Sequence, residues 1–150
     1  MNNHSPRKPA VLFLCTGNSC RSQMAEAWAR ARLGNLFSAW SAGIETHGLN
    51  PDAIKVMEEI GIDTSGWRSK TTAELPPELT FDYVITLCDH AAETCPIFPA
   101  TTAVLHHPFD DPPQLAADAE NETERLAPYR RVRDEIREFI LKLPEILKQS

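Results

Sequence analysis

The feature of this sequence that most constrains the fold is a strand–loop–helix unit close to the N-terminus. An apolar run at residues 10–14 predicts a buried strand, and apolar residues spaced three and four apart over 22–33 predict a helix. Between them lies the loop Cys15-Thr-Gly-Asn-Ser-Cys-Arg21, with five residues between the cysteine and the arginine. In this context the backbone N–H groups of the loop and of the helix start converge on one point, which favours a tetrahedral anion.

The side chains of this loop predict thiol chemistry on a phosphate-like anion. At the floor of the loop, the helix start and the arginine favour the thiolate form of Cys15, a nucleophile. The guanidinium of Arg21 can bind two anion oxygens at once, and Ser22 can donate a hydrogen bond to the sulfur. We expect the side chain of Cys20 to be incidental to catalysis but prone to oxidation. The residues predicted to bind the anion are Thr16, Gly17, Asn18, Ser19, Cys20, Arg21 and Ser22.

Strands and helices continue to alternate along the chain. Further elements are predicted as strands at 37–42, 83–87 and 102–106, a helix from the Asn50 cap to Gly61, and a last helix that begins near Pro128. This alternation predicts a single-domain α/β fold, a three-layer sandwich with a four-stranded parallel sheet of order 2-1-3-4 and helices on both faces. We expect the domain to cover 10–150, after a flexible tail at 1–9, with an acidic solvated surface segment at 115–124.

Composition excludes several classes of partner. The net charge of −6 without a basic stripe argues against nucleic acid, and no apolar run approaches the ~20 residues of a membrane span. No signal-peptide cleavage pattern follows the first apolar run, so we expect a cytoplasmic protein. In that compartment four cysteines indicate catalysis or metal binding more than structural disulfides.

Cys88 follows the third predicted strand and therefore lies at the same sheet edge as Cys15. Neighbouring strands are about 4.8 Å apart, and a disulfide needs Cα atoms within ~4.4–6.8 Å, so a modest loop movement can join the two. Cys95 lies seven residues further on, ~10.5 Å away in a regular helix. A Cys88–Cys95 disulfide therefore requires local unwinding, which would present it to an external reductant. The alternatives are two small buried residues, or a zinc site that adds histidines from His90, His106 and His107.

Asp111 follows the fourth predicted strand at the same edge. A carboxylic acid there can protonate a departing oxygen. Asp110 is the competing candidate, and a simple turn is the alternative to both.

Taken together, these motifs resemble the thioredoxin-coupled arsenate reductases, a branch that shares the fold of low-molecular-weight protein tyrosine phosphatases. The similar stretches are residues 11–26, 41–51, 82–96, 109–112 and 131–136. The resemblance covers most of the chain apart from the termini and residues 115–126.

The resemblance implies a relay of three cysteines. Arsenate binds the loop, Cys15 attacks it, and Asp111 is the general acid. Cys88 then attacks the sulfur of Cys15, which releases arsenite and leaves a Cys15–Cys88 disulfide. Cys95 attacks Cys88 in turn, and thioredoxin reduces the resulting Cys88–Cys95 disulfide. Phosphate and sulfate are expected as analogues in the loop. No cofactor is implied, and a monomer is expected.

Some members of this family hold a potassium ion near the loop. Asn18, Glu26 and Ser41 match its ligand positions, whereas Lys70 replaces an acidic ligand. We therefore predict no metal in this protein, with the Lys70 ammonium in place of the ion beside Glu26.

Two other functions remain open at this level. A protein tyrosine phosphatase needs only Cys15, Arg21 and Asp111, and weak phosphatase activity would share the first chemical step. However, Pro113 and Gln114 stand where such phosphatases tend to have aromatic residues. The second alternative is a non-enzymatic redox or oxyanion-sensing module.

Overall fold

A four-stranded parallel sheet of order β2-β1-β3-β4 forms the centre of the protein, as predicted. The structure is a computed structural model and describes residues 7–149. Its elements are β1 (Ala10–Cys15), α1 (Arg21–Leu33), β2 (Ser38–Gly43), α2 (Pro51–Glu58), β3 (Tyr83–Thr86), α3 (Asp89–Glu93), β4 (Ala103–His106), α4 (Pro112–Leu115) and α5 (Glu122–Lys148). The α/β fold class and the predicted strand order are confirmed.

The two faces of the sheet are buried by different layers, because side chains alternate along each strand. Val11 and Phe13 of β1 belong to the larger core cluster, together with buried residues of α1, α2 and α5. Leu12 and Leu14 belong to the second cluster, which includes Ala91 of the short helix α3. Both clusters include residues of the central strands. The carboxyl ends of β1 and β3, which carry Cys15 and lead to Cys88, therefore belong to strands that are packed on both faces.

The last helix begins at Glu122, so the prediction of a start near Pro128 is wrong. The Asn121 side chain accepts a hydrogen bond from the N–H of Glu124 at 2.9 Å and caps the helix. Burial of Leu126 then stabilises the turns before the proline, which the helix accommodates in its interior. None of the helices in the described part of the chain has the length and apolar character that a bilayer span requires.

The N-terminal segment was predicted to be a flexible tail over 1–9. Residues 1–6 lie outside the described residues. Arg7 pairs with Asp82 at 3.1 Å, and the carbonyl of Pro9 accepts a hydrogen bond from Ser38 at 2.9 Å. The flexibility of this segment stays a prediction.

Candidate active site

The loop between β1 and α1 has its carbonyl oxygens turned outward. Those of Cys15, Thr16, Gly17 and Ser19 accept hydrogen bonds of 3.0–3.1 Å from backbone N–H groups within residues 44–50. Because the C=O and N–H groups of a peptide unit point in opposite directions, these contacts turn loop N–H groups toward the inside. The sequence folds this way locally because β1 ends at the loop and α1 begins directly after it. The arrangement is a cradle for an anion.

Asn18 supports the loop from beneath. It is fully buried and has a positive φ of 50°, a conformation that asparagine tolerates better than most residues. Its Nδ2 donates to Ser22 Oγ at 2.8 Å and to Ser41 Oγ at 3.0 Å, and its Oδ1 accepts from the N–H of Lys70 at 2.9 Å. The side chain of Asn18 is therefore structural. The predicted hydrogen bond from Ser22 to the sulfur of Cys15 stays a prediction.

Arg21 faces a cavity of about 310 Å³ at the mouth of the loop. Its Nη1 donates to the carbonyl of Phe109 at 2.8 Å, and its Nη2 lies 3.6 Å from Oδ1 of Asp111. Its Nε is buried and has no hydrogen-bond partner within the described residues. A buried N–H donor of this kind is costly unless it meets an acceptor, which an anion oxygen in the cavity would supply. The cavity is lined by Cys15, Thr16, Gly17, Ser19, Cys20, Arg21, His47, Asp111 and Pro113.

The structure distinguishes between the two candidate acids. Asp111 lines the cavity opposite the loop, whereas Asp110 turns away and pairs with Arg131 at 2.9 Å. Asp111 directly precedes α4, and its carboxylate is about one-third exposed. Of the two, Asp111 is therefore the one that faces a group bound in the loop, and its role as general acid stays a prediction.

The thiols of Cys15 and Cys88 are close enough for each to shift the pKa of the other, and both side chains belong to the same buried cluster. The sulfur of Cys88 also lies 3.2 Å from the Thr16 hydroxyl and accepts from the N–H of Ala91 at 3.4 Å. The interaction with the Cys15 thiol is the main cause that lowers the pKa of Cys88 to about 5, and Thr16, Ala91 and Arg21 add to it against the effect of burial. The same interaction, together with burial, raises the pKa of Cys15.

The raised pKa of Cys15 runs against the prediction that the loop makes Cys15 itself the thiolate. Burial and the interaction with Cys88 raise the pKa of Cys15 more than the Arg21 guanidinium lowers it. Attack by Cys15 therefore requires the loss of its proton, and Cys88, whose pKa is lowered to about 5, is the neighbouring thiol.

The other two cysteines lie in different surroundings. Cys20 is buried, and desolvation raises its pKa to about 12, which disfavours the predicted sensitivity to oxidation because the thiolate is the reactive form. Cys95 is half-buried at the end of the segment that contains α3, and desolvation also raises its pKa. All four cysteines are free thiols.

Lys70 lies below the loop, where the potassium ligands were considered. Its Nζ is 3.2 Å from the Arg68 carbonyl, 3.4 Å from Ser41 Oγ, 3.5 Å from Asn18 Oδ1 and 3.7 Å from Glu26 Oε1. Burial lowers the pKa of Lys70, and the Glu26 carboxylate opposes this effect. With an ammonium group among these oxygens, the site does not fit a potassium ion.

The zinc alternative gains no support. No group of three or more His, Cys, Asp and Glu side chains is placed to hold a metal within residues 7–149. His106 instead contacts Thr86 and Asp89.

His47 is a cavity residue that the sequence analysis missed. Its ring lies so close to Gly17 that a Cβ on this glycine would be 2.3 Å from Nδ1 of the histidine. Its Nε2 pairs with Glu45. The stretch 41–51 had carried the family resemblance, but spacing along the chain gave no signal that this side chain reaches the loop.

Comparisons with known proteins place the whole domain among relatives of two activities. A family model described as low molecular weight phosphotyrosine protein phosphatase matches residues 10–150. An arsenate reductase of Halalkalibacterium halodurans is 50% identical over 131 residues, which cover 86% of this chain and 90% of that protein. The structure of an arsenate reductase in the phosphate binding state is 32% identical, with a TM-score of 0.70 and coverage of 95% of this chain and 99% of that one. A low molecular weight protein tyrosine phosphatase from T. tengcongensis is 27% identical, with a TM-score of 0.70 and coverage of 92% and 99%.

Proposed function

The chain belongs to the low molecular weight phosphotyrosine protein phosphatase family, and we propose that within it the protein is an arsenate reductase. One observation carries this conclusion: a second thiol, Cys88, lies against the anion-binding loop, with its sulfur 3.2 Å from the Thr16 hydroxyl and close enough to Cys15 for the two thiols to shift each other's pKa. Phosphate-ester hydrolysis has no use for such a thiol, whereas reduction of a bound oxyanion requires it. The 50% identity to an arsenate reductase supports the same conclusion.

The first step is nucleophilic attack on arsenate held by the loop and Arg21. The proton of Cys15 passes to Cys88, and the Cys15 thiolate attacks arsenic. A sulfur–arsenic bond forms and an arsenic–oxygen bond breaks, and Asp111 gives its proton to the departing oxygen, which leaves as water.

The second step transfers the electrons. Cys88 first releases the proton it received from Cys15 to solvent, and the Cys88 thiolate then attacks the sulfur of Cys15. A Cys15–Cys88 disulfide forms while the sulfur–arsenic bond breaks, and its electron pair stays on arsenic. Arsenic(V) is thereby reduced to arsenic(III), and the two thiols are oxidised. Phosphorus(V) is not reduced by a thiol, so phosphate binds without following this path.

Regeneration uses Cys95. Its thiolate attacks the sulfur of Cys88, the Cys15–Cys88 bond breaks, and Cys15 leaves as a thiolate. The product is a Cys88–Cys95 disulfide at the half-exposed end of the α3 segment. A dithiol protein of the thioredoxin class then supplies two electrons by thiol–disulfide exchange. We further propose that the enzyme is a cytoplasmic monomer without a cofactor.

Phosphatase activity is the second candidate, and the complete set of Cys15, Arg21 and Asp111 around one cavity favours it as a side reaction. The same set disfavours a purely sensing module, which needs no general acid.

The decisive experiment measures arsenate-dependent NADPH oxidation coupled through thioredoxin and its reductase. The Cys88→Ser and Cys95→Ser variants should each lose turnover, because the relay is broken at its second or third thiol. Hydrolysis of p-nitrophenyl phosphate is the control, and it should survive in both variants. Undiminished arsenate turnover in either variant would contradict the relay.

A further inference from the structure

We propose that the Asp89–His106 pair is a positioning device that holds α3 folded and thereby limits how fast Cys95 reaches Cys88. The inference rests on the proposed function, because it concerns the third thiol of the relay. Neither residue takes part in the anion-binding loop.

α3 has little stability of its own. It is only five residues long, Asp89–Glu93, and Ala91 is its one buried residue. Isolated helices shorter than ~12 residues are marginal in water, so a helix of this length depends on contacts with its surroundings. Besides the backbone hydrogen bond from Ala92 to the Cys88 carbonyl, its first turn has the hydrogen bond from the Ala91 N–H to the sulfur of Cys88 and the pairing of Asp89 with β4.

The pairing is built on a fixed imidazole. His106 of β4 lies opposite Thr86 of β3 in the sheet register, and Thr86 is almost completely buried. The Thr86 hydroxyl is 2.7 Å from Nδ1 of His106, and Nε2 is 3.0 Å from Oδ1 of Asp89. Each ring nitrogen therefore has a partner, Nδ1 the hydroxyl and Nε2 the carboxylate, while the hydroxyl also donates to the Leu105 carbonyl at 3.3 Å. The buried threonine therefore aims the histidine at the first residue of α3.

The Asp89–His106 pair affects one chemical step, the attack of Cys95 on Cys88. Cys95 must attack the sulfur of Cys88 in the Cys15–Cys88 disulfide, and α3 separates the two residues as long as it is folded. In this step one sulfur–sulfur bond forms, one breaks, and the electron count of the protein is unchanged. Opening of α3 has to come first. A contact that stabilises the closed helix therefore slows this step and leaves the formation of the Cys15–Cys88 bond unaffected.

The test is a double-mutant cycle with Asp89→Ala, His106→Ala and the double variant. Hydrogen–deuterium exchange of residues 88–95 is measured on the reduced protein. In single turnovers with arsenate, acid quenching and mass spectrometry follow the Cys15–Cys88 and Cys88–Cys95 disulfides separately. Asp89→Asn, which keeps an oxygen acceptor, is the conservative variant. His90→Ala, at an exposed position of the same helix, is the matched control.

We expect each single alanine variant to speed exchange in 88–95 and formation of the Cys88–Cys95 disulfide by about two- to fivefold, the factor of a solvent-exposed polar pair, since the Asp89 side chain is 84% exposed. The double variant should be no faster than either single variant, and Asp89→Asn should restore most of the wild-type rate. The control and the rate of the Cys15–Cys88 step should not change.

Two results would overturn the inference: unchanged exchange and resolving rates in the alanine variants, or effects that multiply in the double variant. If the wild type forms no Cys88–Cys95 disulfide with arsenate, the proposed function itself fails, and this inference with it.

Discussion

Replacement of Lys70 by alanine should make the stability of this protein depend on potassium. In the wild type the ammonium group is surrounded by oxygens of Arg68, Ser41, Asn18 and Glu26 at 3.2–3.7 Å. Its removal leaves these oxygens around an open space, and oxygen atoms are the ligands that hard cations prefer. The variant should therefore bind potassium where the wild type has no use for it.

The loss of stability in the variant depends on the contacts that Glu26 retains. Breaking a fully buried ion pair by removing one partner costs about 3–5 kcal/mol. Here Glu26 retains a hydrogen bond from Ser41 at 2.6 Å and an ion pair with Arg30 at 2.8 Å. Removal of Lys70 also relieves the protein of the desolvation cost of the ammonium group, whose pKa is lowered by burial. We therefore expect Lys70→Ala to lower the free energy of unfolding by about 2 kcal/mol. Potassium at ten times its dissociation constant should restore about 1.4 kcal/mol.

The assay is urea unfolding in potassium and in sodium chloride at equal ionic strength. Lys55→Ala is the matched control, because Lys55 pairs with Glu122 at the surface with both side chains about half exposed, and its loss should cost at most about 1 kcal/mol in either salt. The wild type should have equal stability and equal arsenate turnover in both salts. A strong potassium dependence of the wild type, or a Lys70→Ala variant as stable as the control, would refute the reasoning.

Two further predictions concern the reacting groups. Asp111→Asn should slow p-nitrophenyl phosphate cleavage by about 10²–10⁴-fold through loss of the general acid. Asp110→Asn should retain the wild-type rate, because Asp110 faces Arg131. Equal effects in both variants would contradict the assignment of Asp111 as the acid. Thr16→Val removes a hydrogen bond to the Cys88 sulfur and should raise the pKa of Cys88 from about 5 by up to about one unit. The pH dependence of Cys88 alkylation measures this shift. An alkylation midpoint equal to that of the wild type would show that the Thr16 hydroxyl does not stabilise the thiolate.

The sequence predicted the fold with few errors, because the signals concerned are local. Apolar runs and helical spacing located all four strands and the helices that follow β1 and β2, and the order of the sheet follows from right-handed crossovers. The one large boundary error was at α5, where the proline at 128 was interpreted as a helix start. The Asn121 cap and the burial of Leu126 determine that boundary instead.

For the candidate site too, the sequence predicted some features and not others. Cys15 and Cys88 were predicted to lie together because the carboxyl ends of neighbouring parallel strands meet at one edge of the sheet, and Arg21 was predicted from its spacing after Cys15. This rule fixes backbone positions. It does not say in which direction a side chain points or where a shared proton lies.

Those two questions were decided by tertiary structure. Only the packed chain shows that Asp111 and His47 face the cavity, that the surroundings of Cys88 lower its pKa, and that His106 points toward Asp89. Each depends on contacts between residues that are distant along the chain and on the burial those contacts create. Side-chain direction and local dielectric arise from the folded arrangement as a whole, whereas the strand and helix pattern is already present in the periodicity of the chain.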